Sequence, residues 1–326
     1  MEKYLPKKDF VERIKKVLED EKDFEKFFEY VKFPPKKSIR VNTIKINVED
    51  LIKKIQKYKW NIEQPFSNNP EIITVDKLEP GELGKTDEHI LGYYYIQEIT
   101  SMIPIIILNP QPNDFLLDLC ASPGSKTTQA AALMKNKGTI IANDISIPRI
   151  KILSSNLERC GVTNTIITKY NGIDLCKKFK RYNFYFDKIL VDAPCSGEGN
   201  LRTSPKTFLE WNESLLKKFS KKQKQLISNA FEILKENCCM IYSTCTYSPD
   251  ENEEVVQYLL DNFKNAKIEE IKNLEIKTRP GITEWKNKKF HKDLKKCIRI
   301  YHHDNDTEGF FICKIKKLAY DSKCKK

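Results

Sequence analysis

The fold of this chain is decided by residues 115–144, which read FLLDLCASPGSKTTQAAALMKNKGTIIAND. The apolar run Phe115–Cys120 predicts a strand that ends in a turn containing one glycine. A helix follows through Met134, and Thr139–Asp144 predicts a second strand. A strand, a turn, a helix and a strand in this order are typical of the βαβ unit of a parallel sheet.

The turn at residues 118–128, DLCASPGSKTT, indicates the kind of ligand. Cys120 and Ser125 stand where a Walker loop needs its two glycines, and with Gly124 as its one glycine the turn also lacks the dinucleotide fingerprint. The N–H groups at the start of the helix can still hold a polar ligand. Asp144 ends the next strand, where a carboxylate can accept hydrogen bonds from ribose hydroxyls. We therefore expect S-adenosylmethionine as the cofactor, and the alternative of an NAD-dependent dehydrogenase is disfavoured.

The alternation of strand and helix continues beyond this unit and predicts an α/β fold, with a doubly wound, mostly parallel sheet. Further strands are predicted over Thr165–Lys169, Lys188–Asp192 and Cys239–Thr244, and helices over Arg149–Arg159, Lys221–Leu234 and Glu251–Phe263. Ser248 followed by Glu251 predicts a capping box at the start of the last of these helices. Two late strands, Ile298–Tyr301 and Phe310–Ile315, predict an antiparallel hairpin at the edge of the sheet.

The N-terminal part has a different pattern and predicts a small α+β module that resembles an RNA-recognition fold. One amphipathic helix is predicted over residues 8–31, strands over Ser38–Lys45, Ile72–Val75 and Ile90–Ile96, and a helix over Val48–Trp60. We expect this domain to cover residues 1–93, a second domain residues 94–320, and a tail residues 321–326. Arg40 and Asn42 lie one strand period apart and share a face, where they contact a phosphate or base, or else are simply solvated.

Composition narrows the class of protein. Lys and Arg number 57 against 45 Asp and Glu, which gives a net charge of +12. This excess favours a nucleic-acid partner, and a lysine-rich host proteome explains it equally well. The ten cysteines are scattered without a CxxC pair and the start does not read as a signal peptide, so we expect a reduced, cytoplasmic protein. No apolar run is long enough to span a membrane, and Cys297, His302 and His303 lack a second ligand pair, so neither a membrane nor a metal is expected.

Two further motifs carry reactive groups. Residues 189–200, ILVDAPCSGEGN, place Asp192 and Cys195 at the end of a buried strand, and residues 243–246, STCT, place Cys245 at the end of the next. Neighbouring parallel strands bring both thiols to the same edge of the sheet as the cofactor. Singly, each cysteine is more often a core residue. Taken alone, the first motif points to Cys195 as the nucleophile.

Six segments together resemble the Sun-type RNA cytosine-5 methyltransferases, over roughly residues 38–316. They are SIRVNTIK, YYIQEITSMIP, DLCASPGSKTT, FDKILVDAPCSGEGN, STCTYSPDENEEVV and RIYHHDNDTEGFFICKI. The resemblance implies a Rossmann-like class I methyltransferase fold. It also implies that Cys245 is the nucleophile, that Cys195 helps to release the product, and that Asp192 lies between the cofactor and the base.

The resemblance also implies a set of cofactor contacts. The methionine portion would be wrapped by Cys120, Ala121, Ser122, Pro123, Gly124, Ser125 and Lys126. Asp144 would hold the ribose, and Arg149 is expected to pack over the cofactor pocket or to cap a helix. Asn171 stands where the adenine contact is usually Asp, and Asp174 is the alternative for this contact.

The expected reaction is methylation of carbon 5 of a cytosine in RNA. The compact plan of the chain resembles the smaller tRNA-acting members of the family, including the archaeal ones, so tRNA is expected rather than ribosomal RNA. We expect a monomer. The alternative from a different class is a non-catalytic RNA-binding scaffold, which the presence of Cys195, Cys245 and Asp192 disfavours.

Overall fold

A computed structural model describes residues 5–319, so the predicted tail at residues 321–326 lies outside the described residues. Its α-helices are α1 (Lys8–Leu18), α2 (Glu21–Val31), α3 (Val48–Ile55), α4 (Asp87–Ile90), α5 (Ile99–Leu108), α6 (Ser125–Leu133), α7 (Ile147–Cys160), α8 (Gly172–Arg181), α9 (Thr207–Glu210), α10 (Glu213–Glu232), α11 (Glu253–Asn262) and α12 (His302–Asn305). Its strands are β1 (Lys37–Val41), β2 (Asn61–Glu63), β3 (Ile72–Asp76), β4 (Tyr94–Ile96), β5 (Phe115–Asp118), β6 (Thr139–Asp144), β7 (Thr165–Lys169), β8 (Phe186–Asp192), β9 (Leu234–Thr244), β10 (Ala266–Glu269), β11 (Arg279–Pro280), β12 (Glu284–Trp285), β13 (Lys288–Lys289), β14 (Ile298–Ile300) and β15 (Phe310–Lys317). None of these helices is both long and apolar enough to cross a bilayer.

The larger sheet has the order β11-β14-β15-β9-β8-β5-β6-β7, with β10 paired to β15. Strands β9, β8, β5, β6 and β7 are parallel, whereas β15 runs antiparallel to β9 and to β14. The predicted α/β fold and its antiparallel edge hairpin are therefore confirmed. The chain winds outward from β5 in one direction and from β8 in the other. This reversal opens a crevice at the carboxyl ends of the two strands, where such sheets bind ligands.

Alternate side chains of the parallel strands fill two apolar layers, one on each face of the sheet. One layer packs against α8, α10 and α11 and contains Leu117, Ile189, Val191, Met240 and Tyr242. The other packs against α5 and α6 and contains Leu116, Ile140, Leu190 and Ile241. Each fully buried aliphatic side chain contributes about 1.5–3 kcal/mol to stability. Helices on both faces thus hold the strand ends in fixed positions.

The smaller sheet is antiparallel, with the order β2-β3-β1-β4 and α3 packed against it. Two of its elements end earlier than predicted, β1 at Val41 and α3 at Ile55, whereas β3 extends one residue further, to Asp76. The predicted strand Ile90–Ile96 keeps only Tyr94–Ile96, since Thr86 accepts a hydrogen bond from the His89 N–H (3.1 Å) and caps α4. Strand β4 pairs with β1, so residues on both sides of position 93 belong to this sheet. The domain boundary at this position stays a prediction.

The predicted single helix over residues 8–31 is wrong. Glu19 has φ +60°, a left-handed conformation that no α-helix continues through, and α2 restarts with Asp20 as its cap. Both helices pack against the larger domain, in an apolar cluster with Phe208, Trp211, Tyr247 and Tyr301. Arg13 of α1 forms an ion pair with Asp250 and donates a hydrogen bond to the Ser248 hydroxyl (2.9 Å).

Arg40 and Asn42 do share a face of β1, but both are buried and neither is solvated. Arg40 donates to the Ser125 carbonyl and the Thr128 hydroxyl (2.8 Å each). The Asn42 amide donates to the carbonyls of Gly92 and Cys160 (2.8 Å each). The predicted contact with a phosphate or base is wrong, because both side chains join the small sheet to the larger domain.

Several elements between predicted strands went unrecognised, among them helix α8 between β7 and β8 and helix α12 in the polar link before β15. Helix α12 has four residues, too few to show a helical repeat. Helix α8 has ten residues, as α11 does, so its length does not explain why it was missed.

Candidate active site

A cavity of about 600 Å³ opens at the carboxyl ends of the five parallel strands β5, β6, β7, β8 and β9. Its size is typical of small-molecule sites. The predicted site residues that line it are Cys120, Ser122, Pro123, Asp144, Arg149, Asn171, Asp192, Cys195 and Cys245. The topology therefore brings residues from five strand ends, as much as 125 positions apart in the chain (Cys120 to Cys245), to a single cavity.

Four predicted contacts in the turn after β5 do not line the cavity: Ala121, Gly124, Ser125 and Lys126. The Ala121 N–H donates to the Asn143 carbonyl (2.8 Å), which fixes the turn to β6. Gly124 has φ +102°, and a Cβ there would lie 2.9 Å from Leu153 Cδ1, so the turn needs glycine at this position. Ala121 and Gly124 shape the turn, and the Ser125 carbonyl accepts from Arg40.

The end of the cavity beside β6, which we call the nucleoside end, contains Asp144 and Arg149. Asp144 Oδ1 accepts from the Ser146 N–H (2.9 Å), and its Oδ2 lies 3.0 Å from Arg149 Nε. Arg149 also donates to the Ser122 carbonyl (2.6 Å). Arg149 thus links the turn after β5 to the carboxylate that ends β6.

Asn171 and Asp174 were the two candidates for an adenine contact. Asn171 lines the cavity, and its side-chain oxygen accepts from the Ile173 N–H (3.0 Å), which caps α8. Asp174 is exposed in the first turn of α8 and does not line the cavity. Of the two, Asn171 is therefore the one that faces the ligand space.

The opposite end, which we call the thiol end, holds Cys195 and Cys245 with their sulfur atoms 3.2 Å apart. The hydrogen bond with Cys245, and then burial, raise the pKa of the Cys195 thiol. Asn200 Nδ2 lies 3.3 Å from Cys245 Sγ and donates to it. No role was predicted for Asn200, because only the folded chain brings it to a cysteine 45 residues away.

Asp192 lies beside the thiols and is held from two sides. Its Oδ1 accepts from the Ser243 hydroxyl (2.8 Å), and its Oδ2 lies 2.7 Å from Lys126 Nζ. Lys126 also donates to the Ser101 hydroxyl (2.8 Å) and lies over the ring of Phe310. Lys126 thus orients Asp192 and does not point into the ligand space.

Glu251 connects the loops of the two cysteines. Its carboxylate accepts from the Ser196 N–H (3.0 Å), the Ser196 hydroxyl (2.5 Å) and Gln223 Nε2 (3.0 Å), and the Ser196 and Thr246 hydroxyl oxygens are 2.8 Å apart. Burial and then the nearby Glu198 raise the pKa of Glu251 to about 7. The predicted capping box is wrong, since the N-cap residue of α11 is Asn252, and the Glu251 side chain accepts hydrogen bonds from Ser196 instead.

The suspected ligand group Cys297, His302 and His303 does not converge on one point. His302 uses both ring nitrogens, at 2.7 Å from the Tyr247 hydroxyl and 2.8 Å from the Phe27 carbonyl. His303 instead lies close to Asp23 and Asp304, and the Arg279 guanidinium bonds to both carboxylates. The positive charge of Arg279 already compensates the negative charges of the two carboxylates. The absence of a metal stays a prediction.

Comparison with known proteins assigns this chain to a family. The model of a family described as 16S rRNA methyltransferase RsmB/F matches residues 105–316, and that of the N-terminal domain of 16S rRNA methyltransferase RsmF matches residues 5–99. The chain belongs to the RsmB/F methyltransferase family. The resemblance to Sun-type methyltransferases is thereby confirmed, as is the Rossmann-like methyltransferase fold with an additional N-terminal domain.

Several members of the RsmB/F family are similar over nearly the whole chain. The tRNA (cytosine(49)-C(5))-methyltransferase of Pyrococcus abyssi is 40% identical over 95% of this chain and 96% of its own length. The Ribosomal RNA small subunit methyltransferase F of Vibrio campbellii is 37% identical over 97% of this chain, which spans 64% of that relative. Among solved structures, a methyltransferase homologue from Pyrococcus horikoshii has a TM-score of 0.80 and 33% identity, with 93% of this chain and 92% of that chain covered. NSun6 from Pyrococcus horikoshii with SFG has a TM-score of 0.82 and 25% identity, covering 96% and 99%.

The cofactor of this RsmB/F family member is S-adenosylmethionine, as the sequence predicted. The residues present fit this group. The turn after β5 has no phosphate-binding loop, Asp144 offers a carboxylate at the end of β6, and the cavity extends from there to the thiols.

Proposed function

We propose that this protein methylates carbon 5 of a cytosine in RNA, through a covalent bond between Cys245 and carbon 6 of the base. One observation carries the proposal: two thiols 3.2 Å apart lie beside Asp192 on the cavity of an S-adenosylmethionine-dependent enzyme. Carbon 5 of cytosine is a weak nucleophile, so a methyl transferase for this atom needs a group that activates the ring. A thiolate that adds at carbon 6 provides the activation.

In the proposed reaction, the Cys245 thiolate forms a bond to carbon 6, and the electrons of the carbon 5–carbon 6 double bond move to carbon 5. When bound, S-adenosylmethionine supplies the sulfonium methyl group that carbon 5 takes up. A base then takes the carbon 5 proton, the electrons of that carbon–hydrogen bond restore the double bond between carbons 5 and 6, and the bond from carbon 6 to Cys245 breaks as the sulfur leaves as a thiolate. Asp192, held by Ser243 and Lys126, is placed to hydrogen-bond the polar edge of the base as charge develops.

The two thiols are proposed to have different roles. The hydrogen bond with Cys245, and then burial, raise the pKa of the Cys195 thiol, so Cys195 keeps its proton, and we assign the nucleophilic thiolate of the proposed reaction to Cys245. Asn200 donates to the Cys245 sulfur and favours the same form. Cys195 is proposed to assist the release of the methylated base, since its sulfur lies next to the sulfur that must be expelled.

The cofactor contacts are likewise proposals. Cys120, Ser122 and Pro123 would contact the methionine portion, Asp144 the ribose, and Asn171 the adenine, with Arg149 beside them. The other four residues of the turn do not line the cavity and would hold these contact residues in position: Ala121, Gly124, Ser125 and Lys126.

We propose tRNA as the substrate. The relative named as a tRNA (cytosine(49)-C(5))-methyltransferase is 40% identical to this chain, and the Vibrio campbellii relative named for small-subunit ribosomal RNA is 37% identical. The second candidate is 16S ribosomal RNA, which the name of the matching family model favours. A non-catalytic RNA-binding scaffold is the alternative from another class.

The test uses the full chain with radiolabelled S-adenosylmethionine and either bulk unmodified tRNA or isolated small ribosomal subunits. We expect label in tRNA, as 5-methylcytosine after digestion to nucleosides. Label in the ribosomal RNA alone would replace the substrate proposal, and no label in either RNA at any salt concentration would support the scaffold.

A further inference from the structure

Helix α10 carries four lysines in six residues: Lys217, Lys218, Lys221 and Lys222. We call them the lysine face. With 3.6 residues per turn they span an arc of about 140° on one side of the helix. The opposite side is buried and contains Leu216, Ser220, Gln223 and Ile227. The lysine face therefore points away from the protein core.

The lysine face has no evident role in the stability of the fold. Further along α10, Lys224 forms an ion pair with Glu254 (2.9 Å), but none of the four lysines forms an ion pair within residues 5–319. Lys217 with Lys221, and Lys218 with Lys222, are like charges one turn apart, which destabilise a helix slightly. Four uncompensated charges at this position call for a partner outside the chain.

The lysine face lies between two cavities. On one flank of α10, Phe219 and Lys222 line the active cavity together with Asp192, Cys195 and Cys245. On the other flank, Lys217, Lys221 and Lys224 line a second cavity of about 550 Å³, where Tyr258 is 41% exposed. A polyanion bound across α10 would thus reach the opening of the active cavity.

We propose that the lysine face binds phosphates of the RNA strand whose cytosine enters the active cavity. The proposal rests on the proposed function, which makes the ligand of the active cavity a base within a polyanion. Lysine ammonium groups bind phosphates as point charges, without base recognition. The lysine face would therefore supply affinity and orientation, while the residues of the cavity select the base.

The test compares two pairs of substitutions. Lys218→Gln with Lys221→Gln removes two charges from the centre of the lysine face. Lys264→Gln with Lys267→Gln is the matched control, because both lysines are exposed, form no ion pair within the described residues, and follow α11 where it reaches the edge of the sheet opposite the cavity. Binding of bulk tRNA is measured by filter retention between about 0.05 and 0.5 M salt, without cofactor.

We expect the first pair to raise the Kd for tRNA roughly tenfold at about 0.15 M salt and to reduce the slope of log Kd against log salt by about 1.4. The control pair should change both by less than about twofold. Equal effects of the two pairs, or no effect of the first, would overturn the proposal. Methyl transfer by the wild-type chain is measured in parallel, and its absence would count against the proposed function even if the binding result stands.

With saturating tRNA, we expect the Lys218→Gln, Lys221→Gln variant to keep the wild-type kcat while its KM for tRNA rises. Its Kd for S-adenosylmethionine, measured by calorimetry, should equal that of the wild type. A fall in kcat with an unchanged KM would assign these lysines to the chemistry and overturn a role in RNA binding.

Discussion

The thiol end and the nucleoside end of the active cavity are held in different ways. At the thiol end, the loops after β8 and β9 bond to one another: the Ser196 and Thr246 hydroxyls meet, and the Gly199 N–H donates to the Cys245 carbonyl (2.8 Å). At the nucleoside end, Asp144 has as its charged partner Arg149, whose side chain is 54% exposed.

This difference separates two tasks. The sulfur atoms must be aligned before any substrate arrives, and buried hydrogen bonds can provide that alignment. The Asp144 carboxylate, which is proposed to hold the ribose, would instead share or exchange partners when the ribose binds, and its partner Arg149 can move because its side chain is half exposed. Substitutions at the thiol end should therefore change the chemistry, and those at the nucleoside end the affinity for the cofactor.

The largest expected effect distinguishes the two cysteines within the thiol end. Cys245→Ala should reduce methyl transfer by at least about a thousandfold, because no covalent adduct can form. Cys195→Ala should form the adduct but release it slowly, so that the protein migrates with tRNA on a denaturing gel. The wild-type Kd for S-adenosylmethionine should be kept by both variants. An adduct formed by Cys245→Ala but not by Cys195→Ala would exchange the two assignments.

The next effect concerns Glu251 and the dependence of stability on pH. Its carboxyl has a pKa of about 7 in the folded chain against an ordinary 4.5. Below pH 4.5 it is protonated in both states and has no effect. Between pH 4.5 and 7 the unfolded chain releases the proton and the folded chain keeps it, so the free energy of unfolding falls as pH rises, by about 3 kcal/mol. Glu251→Gln should lack this contribution.

The measurement is urea unfolding of both proteins at several pH values from 4.5 to 8. Glu98, Asp118, Glu198 and Glu308 also have raised pKa values and are present in both proteins, so the difference between the two curves reports Glu251 together with its interaction with Glu198. Parallel curves would show that Glu251 is ionised in the folded chain, as its three hydrogen-bond donors favour.

Elements that depend on consecutive residues could be predicted from the sequence, whereas contacts between distant residues could not. Strands β6 and β7 were predicted with their observed bounds, because each is a short run of consecutive residues rich in isoleucine and threonine, a signal that is local in the sequence. The contact of Glu251 with Ser196 spans 55 residues, and that of Arg40 with Thr128 spans 88. No local pattern records such pairs. Motif resemblance placed Cys195, Cys245 and Asp192 on the cavity, but the residues that orient them became visible only in the folded chain.

A smaller effect is expected at the nucleoside end. Asp144→Ala removes a charged acceptor from the cavity, which should weaken S-adenosylmethionine binding by about 2 kcal/mol, or roughly thirtyfold in Kd. The reactivity of Cys245 toward iodoacetamide should stay that of the wild type. Calorimetry gives the first quantity and timed alkylation the second. Loss of Cys245 reactivity in this variant would mean that the two ends are not independent.

The smallest effect returns to the thiol end and concerns Asn200, whose amide donates to Cys245 Sγ from 3.3 Å. A donor at this distance stabilises the thiolate relative to the thiol, and its loss should cost about 1 kcal/mol. Asn200→Ala should therefore slow alkylation of Cys245 at pH 7 about fivefold, as followed by tandem mass spectrometry of the labelled peptide.

Asn212→Ala is the control, because that side chain caps α10 through the Leu215 N–H and is exposed. If both variants slow alkylation equally, a general loosening of the fold is the cause. If only Asn200→Ala does so while its Kd for S-adenosylmethionine is unchanged, the thiol end tunes its nucleophile independently of the nucleoside end.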